Sequence, residues 1–239
     1  MITLYQFTTQ TVWGLNPSPF CMKVESYLRL AGIPYRLATA LPHQAPKGKL
    51  PFIAEADGRR IPDSGQIVVH LEATRGGRLD SGLDAEQRAL GHLIRRTCED
   101  SLFFVALYGR WIDPAGWAII RPTMFGRMPA PLRWIVPPLI RRRLARDLRG
   151  QGTLCHGRDQ IYALGCADLD ALATLLGDKP FFLADRPTSA DLCVHAFVAN
   201  ILKPPFENPL KAHARTLPAL GAFVARIDER LAACAGPLP

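Results

Sequence analysis

The chain has 239 residues, 48% hydrophobic and 21% charged, a size that suits one large domain or two smaller ones and a composition that excludes disorder as the main state. No apolar run reaches the roughly 18 residues a membrane-spanning helix needs, and the start, Met1 to Gln6, lacks the basic-then-apolar pattern of a secretory signal; the expected compartment is the cytoplasm. Formal net charge is +8, of which +7 falls between Arg121 and Arg149, where eight arginines meet one acid, Asp147; such an excess attracts anions, but no nucleic-acid recognition module accompanies it, so no nucleic-acid partner is expected.

Leu4 to Phe7 reads as a short strand. After a loop from Thr8 to Pro17 an amphipathic helix opens, with Val24, Tyr27, Leu28, Leu30 and Ala31 at helical spacing, and Gly32 stops it. Ile33 to Leu37 returns to extended structure and residues 42–49 form a loop. Residues 51–55 and Arg60-Ile61 then bracket Ala56-Asp57-Gly58 as a hairpin, and a helix over residues 64–73 closes the unit. The order is a βαβ unit, a hairpin and a helix. Beyond Asp84 the strand signals vanish: Asp84 caps a helix reaching to about Tyr108, and residues 158–176 and 190–202 repeat the helical period. Prolines between Pro114 and Pro138 predict short helices rather than one long rod. Gly76, Gly77 and Gly82 mark a junction, giving domains at 1–77 and 84–239.

Three short motifs carry chemistry. Ser18-Pro19-Phe20-Cys21 sits at the turn into the first helix, where unpaired N–H groups and the helix dipole favour an anion; Ser18 is a natural N-cap and Pro19 a first helical residue. Lys47-Gly48-Lys49-Leu50-Pro51-Phe52 places a proline directly before a strand. A cis Leu50-Pro51 peptide there would turn the Leu50 backbone outward to pair with an extended peptide ligand, with Lys47 and Lys49 offering ammonium groups to its carboxylate. Asp63-Ser64 opens the next helix, where N–H and hydroxyl donors suit a carboxylate and the acid suits an ammonium. Each motif taken singly also has a plain structural reading, as a cap, an edge strand or a solvated loop. The six cysteines (21, 98, 155, 166, 193 and 234) show no pairing rhythm or zinc spacing, and the histidines form no cluster, so free thiols and no metal are expected.

In this order and spacing the motifs resemble the glutathione-binding domain of the glutathione transferase superfamily. Arg186 to Asp191, with Thr188 and Asp191 at capping-box spacing, resembles the capping box of its helical domain. Residues 18–35, 46–53, 63–64 and 176–183 are most similar to the failed-axon-connections and metaxin-like branch. The resemblance implies a thioredoxin-like α/β domain followed by an all-α domain, a homodimer, glutathione as co-substrate, and a detoxifying transferase acting on a small hydrophobic or acidic electrophile. It assigns Ser18 to the hydroxyl that donates to the glutathione sulfur and Cys21 to the second cysteine of the redox motif. Leu50 and Pro51 fall to the cysteinyl part of glutathione, and Asp63 and Ser64 to its γ-glutamyl end. Trp13, Leu15, Phe103, Phe104, Tyr108, Trp111 and Trp117 are placed where related proteins build the electrophile pocket, and the expectation centres on Trp13, Leu15, Tyr108 and Trp111. Serine where redox relatives carry the attacking cysteine shifts the expected chemistry from thiol exchange to conjugation.

The alternative is a non-catalytic interaction protein that keeps the fold as a scaffold, which the metaxin-like resemblance permits. Residues 132–144 mix apolar groups with arginines in a way that suits an anionic membrane or a protein partner. A solvated amphipathic helix is the favoured reading of that stretch, and the membrane surface the lesser one.

Overall fold

The computed structural model describes residues 1–8 and 11–238; Thr9 and Gln10 of the first loop lie outside the described residues. Strands β1 (Ile2–Gln6), β2 (Tyr35–Thr39), β3 (Phe52–Ala54) and β4 (Arg60–Pro62) form one sheet in the order β2-β1-β3-β4. β1 runs parallel to β2 and antiparallel to β3, and β3 pairs β4 as the expected hairpin. A parallel pair needs a crossover, which α1 (Pro19–Leu30) supplies; α2 (Ser64–Thr74) follows β4. Ile2, Leu4 and Gln6 of β1 point inward by strand alternation, and Ile2 and Leu4 pack with Val24, Tyr27 and Leu28 of α1 and Ile67 and Leu71 of α2. Tyr5, on the opposite side of β1, stacks on Phe52 with ring centroids 4.4 Å apart.

From residue 85 onward the described chain is helical: α3 (Ala85–Arg96), α4 (Phe103–Trp111), α5 (Pro114–Phe125), α6 (Ala130–Gln151), α7 (Arg158–Leu176), α8 (Ser189–Leu202), α9 (Pro209–Arg215) and α10 (Pro218–Ala232). A π-helical turn, Thr97–Leu102, joins α3 to α4, so the helix expected to reach Tyr108 is one rod with an inserted turn that re-aims the face of α4. α5 docks tightly on α4: a Cβ on Gly116 would sit 1.9 Å from the Gly109 carbonyl oxygen, so only glycine fits. The proline-rich stretch is broken into two helices rather than one rod, as expected, but the second is not short. α6 runs for 22 residues with Pro137 and Pro138 inside it. The two prolines remove the N–H groups that would bond the Arg133 and Trp134 carbonyls, while Leu, Arg and Ala on their C-terminal side carry the helix onward.

α8 is the central post. Every residue from Ala190 to Ile201 is buried; it packs on α1, with the Phe197 and Phe20 rings edge to face. Its start is the predicted capping box, in which Thr188 N–H and Oγ1 donate to Asp191 Oδ2 at 2.8 and 2.5 Å. The two halves of the chain are tied by polar contacts. Lys23 of α1, only 2% exposed, pairs with Glu99 of the π turn, Arg186 donates to the Leu79 and Ser81 carbonyls, and Ser189 donates to Asp80 from N–H and hydroxyl. His195 is a core residue with Nε2 3.0 Å from Asp228 Oδ1. No helix among the described residues is long and apolar enough to cross a membrane.

Candidate active site

The expected cap is present. Ser18 has extended backbone, φ −99° and ψ 112°, and its Oγ accepts from the Cys21 N–H at 3.4 Å. Its own N–H donates to Asn16 Oδ1 at 3.0 Å, and Asn16 is held from two sides. Its side-chain amide donates to Gln6 Oε1 at 3.0 Å, and Asn200 of α8 donates to its carbonyl at 3.2 Å. Arg110 of α4 completes the brace, donating to the Pro17 carbonyl at 2.7 Å and to Asn200 O and Oδ1 at 3.1 and 3.2 Å. The loop presenting Ser18 is therefore fixed by β1, α4 and α8 together.

Asn16, Arg110 and Asn200 were not singled out in the sequence. Their signal is that of polar residues stranded in apolar surroundings: Arg110 in Phe103–Trp111, Asn200 near the end of a fully buried helix. Removal from water lowers the Arg110 pKa to about 10, which still leaves it cationic at neutral pH. Its guanidinium lies over the Phe206 ring at 5.3 Å.

At Pro19, the residue after Ser18, opens a narrow cleft of about 20 Å³ between α1, α4 and α8, lined chiefly by Pro19, Phe103, Leu107, Arg110, Phe197 and Asn200. That is room for a water-sized group. Phe103, in its wall, meets Phe20 edge to face with ring centroids 4.8 Å apart.

Several sequence assignments are corrected. Cys21, expected at the site, has its side chain in the core at 0% exposure, and burial pushes its thiol up to about 12 despite hydrogen bonds from Ser18 and the Phe7 backbone. A thiol held neutral and away from solvent is neither nucleophile nor redox partner. Leu15 is core, turned inward by a tight Val12–Leu15 backbone pair. Tyr108 packs on Tyr162 of α7, and Trp111 packs on Trp117 and Phe125 of α5, because the π turn rotates the α4 face and presents Phe103, Leu107 and Arg110 to the cleft instead. Trp13, at φ 56°, meets Phe206 edge to face at 5.0 Å and approaches the site only through that ring. Phe103 is the one expected aromatic that lines the cleft.

On the other side of the loop, Leu50-Pro51 is a cis peptide, with Leu50 buried and Lys47 and Lys49 exposed. Asp63, at φ 74°, holds a backbone conformation that costs a non-glycine residue about 1–3 kcal/mol. Its Oδ1 accepts from Gly65 N–H at 2.9 Å and Gln66 N–H at 3.1 Å, so it is the cap of α2 and already occupies two donors expected to be open to a ligand. Arg95 of α3 comes close: its Nη1 lies 3.9 Å from the place a Cβ on Gly65 would take.

The thiol environments give a direct expectation. Under native conditions a thiol reagent modifies Cys155, which is exposed, and more slowly the half-buried Cys166 and Cys234, whereas Cys21, Cys98 and Cys193 react only on unfolding. Cys21→Ala then retains most of any conjugating activity and loses about 1 kcal/mol of stability from the small cavity; a loss of activity beyond tenfold with the fold intact would return Cys21 to the site.

A parallel-antiparallel four-stranded sheet flanked by helices, a capped α1 beside a cleft and an all-helical second half define a thioredoxin-like domain joined to a helical domain, the glutathione transferase fold. Residues 19–116 match the model of the glutathione S-transferase N-terminal domain and residues 165–227 that of the C-terminal domain. The chain is 31% identical to the isoprene-epoxide–glutathione S-transferase of Rhodococcus sp. (strain AD45), covering 96% of this chain and 99% of that protein. It is also 31% identical to Failed axon connections of Drosophila melanogaster, over 96% of this chain and 58% of that one. A glutathione S-transferase from Methylobacterium radiotolerans, solved with glutathione sulfonate, superposes with a TM-score of 0.60 at 20% identity, covering 100% of this chain and 96% of the other. The protein belongs to the glutathione S-transferase superfamily, and it is also similar, at 28% identity, to metaxin-1 of Mus musculus.

Proposed function

We propose that this protein binds glutathione along the edge formed by Ser18, Leu50-Pro51 and the start of α2, and activates its thiol for attack on a small, mainly apolar electrophile. One observation carries the reading: the Ser18 hydroxyl caps α1, and the next residue, Pro19, lines a cleft whose lining holds a single charged group, Arg110. Ser18 donates to the sulfur as the catalytic residue. Arg110, bonded to the carbonyl one residue before it, is a positioning residue and adds a positive charge nearby. In this reading the Leu50 backbone takes the cysteinyl part; Ser64, 5% exposed, and Arg95, near the adjacent Gly65, take the γ-glutamyl carboxylate, and the exposed Lys47 and Lys49 pair with the other carboxylate.

With a small epoxide, the kind of substrate in the Rhodococcus relative's name, the thiolate forms a carbon–sulfur bond as the ring carbon–oxygen bond breaks, and the alkoxide takes a proton from water. Arg110 favours the negative charge that develops on that oxygen. The reaction needs proximity and a stabilised nucleophile.

Calorimetric titration with glutathione, with turnover of a small epoxide and of chlorodinitrobenzene, tests the reading. Binding in the micromolar to millimolar range and turnover above the solution rate are expected. Binding without turnover would favour the second reading, an interaction protein on the same scaffold, for which the exposed face of α6 speaks. The absence of any binding heat, together with no retention on glutathione-agarose, would overturn the proposal.

A further inference from the structure

α6 is an unusual helix for a folded chain. Over 22 residues only Pro137 and Leu148 are buried, and both lie on the side turned to the body of the protein. On the opposite side Leu132, Ile135 and Leu139 follow one another at steps of three and four, and Arg142, Arg143 and Arg146 continue the same stripe. Leu132 is 46% exposed, Ile135 57% and Leu139 56%; Trp134, at the same end, is 61% exposed. These are four of the largest apolar side chains the protein leaves in water, and they fall within eight consecutive residues. The Trp134 ring is flanked by two guanidinium groups, Arg121 of α5 at 5.2 Å and Arg133 at 5.5 Å.

The arginine run is not uniform in its use. Arg141 donates to the Trp111 and Ile112 carbonyls at 3.1 and 2.7 Å and lies over the Trp117 ring, so it closes the end of α4 and serves the fold. Arg142, Arg143 and Arg146 are exposed, and no ion pair to any of them occurs among the described residues. Their helix contributes one acid, Asp147.

We propose that the α5–α6 hairpin docks on an anionic lipid surface, with Leu132, Ile135 and Leu139 entering the headgroup–acyl boundary, Trp134 at the flank of that stripe, and Arg142, Arg143 and Arg146 pairing with lipid phosphates and carboxylates. Charge complementarity selects this occupant. A stripe carrying several unpaired cations repels a second copy of itself, and an apolar end followed by a cationic end along one helix face is what an interfacial helix requires. A tryptophan between arginines suits the depth where ring and guanidinium are both satisfied. The inference is independent of glutathione binding.

The test is co-sedimentation of the full chain with vesicles of phosphatidylcholine alone and with phosphatidylcholine containing phosphatidylserine. Binding to the anionic vesicles only, lost at high salt, is expected. Arg142→Ala/Arg146→Ala weakens it about 30-fold, from roughly 1 kcal/mol per cation, and Ile135→Asp/Leu139→Asp weakens it at least tenfold. Both variants keep the wild-type melting temperature and the same retention on glutathione-agarose, because their side chains point away from the body. Wild type remaining in the supernatant with anionic vesicles would overturn the inference. So would Ile135→Asp/Leu139→Asp binding as wild type does, or that variant turning a dimer into a monomer, which would make the face a contact between copies.

Discussion

Ser18→Ala is expected to lower kcat/KM for conjugation about 10–30-fold at about pH 6.5 while the protein stays folded. A free thiol near pKa 8.5 must fall by about two units to be half ionised at that pH, which is about 2.7 kcal/mol at 1.36 per unit. One charge-assisted hydrogen bond supplies about 1.5–3 kcal/mol and the start of a helix about 0.3–1; the two together match the need, and the hydroxyl is the larger share. Without it, and with the helix start still contributing, the thiolate fraction drops from about one half to between about one twentieth and one sixtieth. The pH profile decides the mechanism. In the wild type the rate rises with pH through an apparent pKa near 6.5, and in Ser18→Ala that rise moves to about 8. The variant also loses the α1 cap, where Ser18 Oγ accepts from Cys21 N–H, worth about 1 kcal/mol. Ser18→Thr, which keeps the hydroxyl, should restore both. A lower rate with an unshifted profile would mean that Ser18 serves only to cap the helix.

The largest stability effect is expected at Asp191. Its carboxylate is fully buried and accepts from Thr188 N–H at 2.8 Å, Thr188 Oγ1 at 2.5 Å and Phe182 N–H at 2.8 Å. Asp191→Ala leaves those donors buried without an acceptor. At about 1–3 kcal/mol for each stranded group, softened by relaxation and water entry, the cost is about 4 kcal/mol. In a chain of this size that is a fall in Tm of about 8–16 °C. Asp191→Asn keeps one acceptor oxygen and should lose about half as much. Since α8 also carries Asn200 and Phe197 to the cleft, glutathione affinity should fall in Asp191→Ala before the chain unfolds. A melting temperature within 2 °C of wild type would show that the capping box does not hold α8 in place.

The order of strands and helices in the first 74 residues is legible because each element is announced locally. Leu4 to Phe7 marks β1 to within two residues of its Ile2–Gln6 span, Ala56-Asp57-Gly58 marks the β3–β4 turn, and Ser18 and Asp63 mark the starts of α1 and α2. Caps were legible for the same reason: Thr188 and Asp191 lie three residues apart, and the hydrogen bonds between them need no distant partner. The electrophile side of the cleft was misread at Leu15, Tyr108 and Trp111. Aromatic character does not say which way a side chain turns, and six residues of π-helix between α3 and α4 rotate everything after them. Arg110 escaped notice because it sits 90 residues from Asn200 and 93 from Pro17; only packing α4 on α1 and α8 brings those carbonyls to one guanidinium.

The sequence by itself determined the two-part architecture, the helix starts and the hydroxyl at residue 18, since these depend on hydrophobic period and on hydrogen bonds spanning a few residues. Tertiary structure alone decided that Cys21 is sealed in the core, that Phe103, Leu107 and Arg110 line the cleft, and that Arg141 serves the fold while Arg142 and Arg146 face outward. Burial and charge pairing are properties of neighbours in space, and residues such as Arg110 and Pro17 become neighbours only when helices from both halves close on one another.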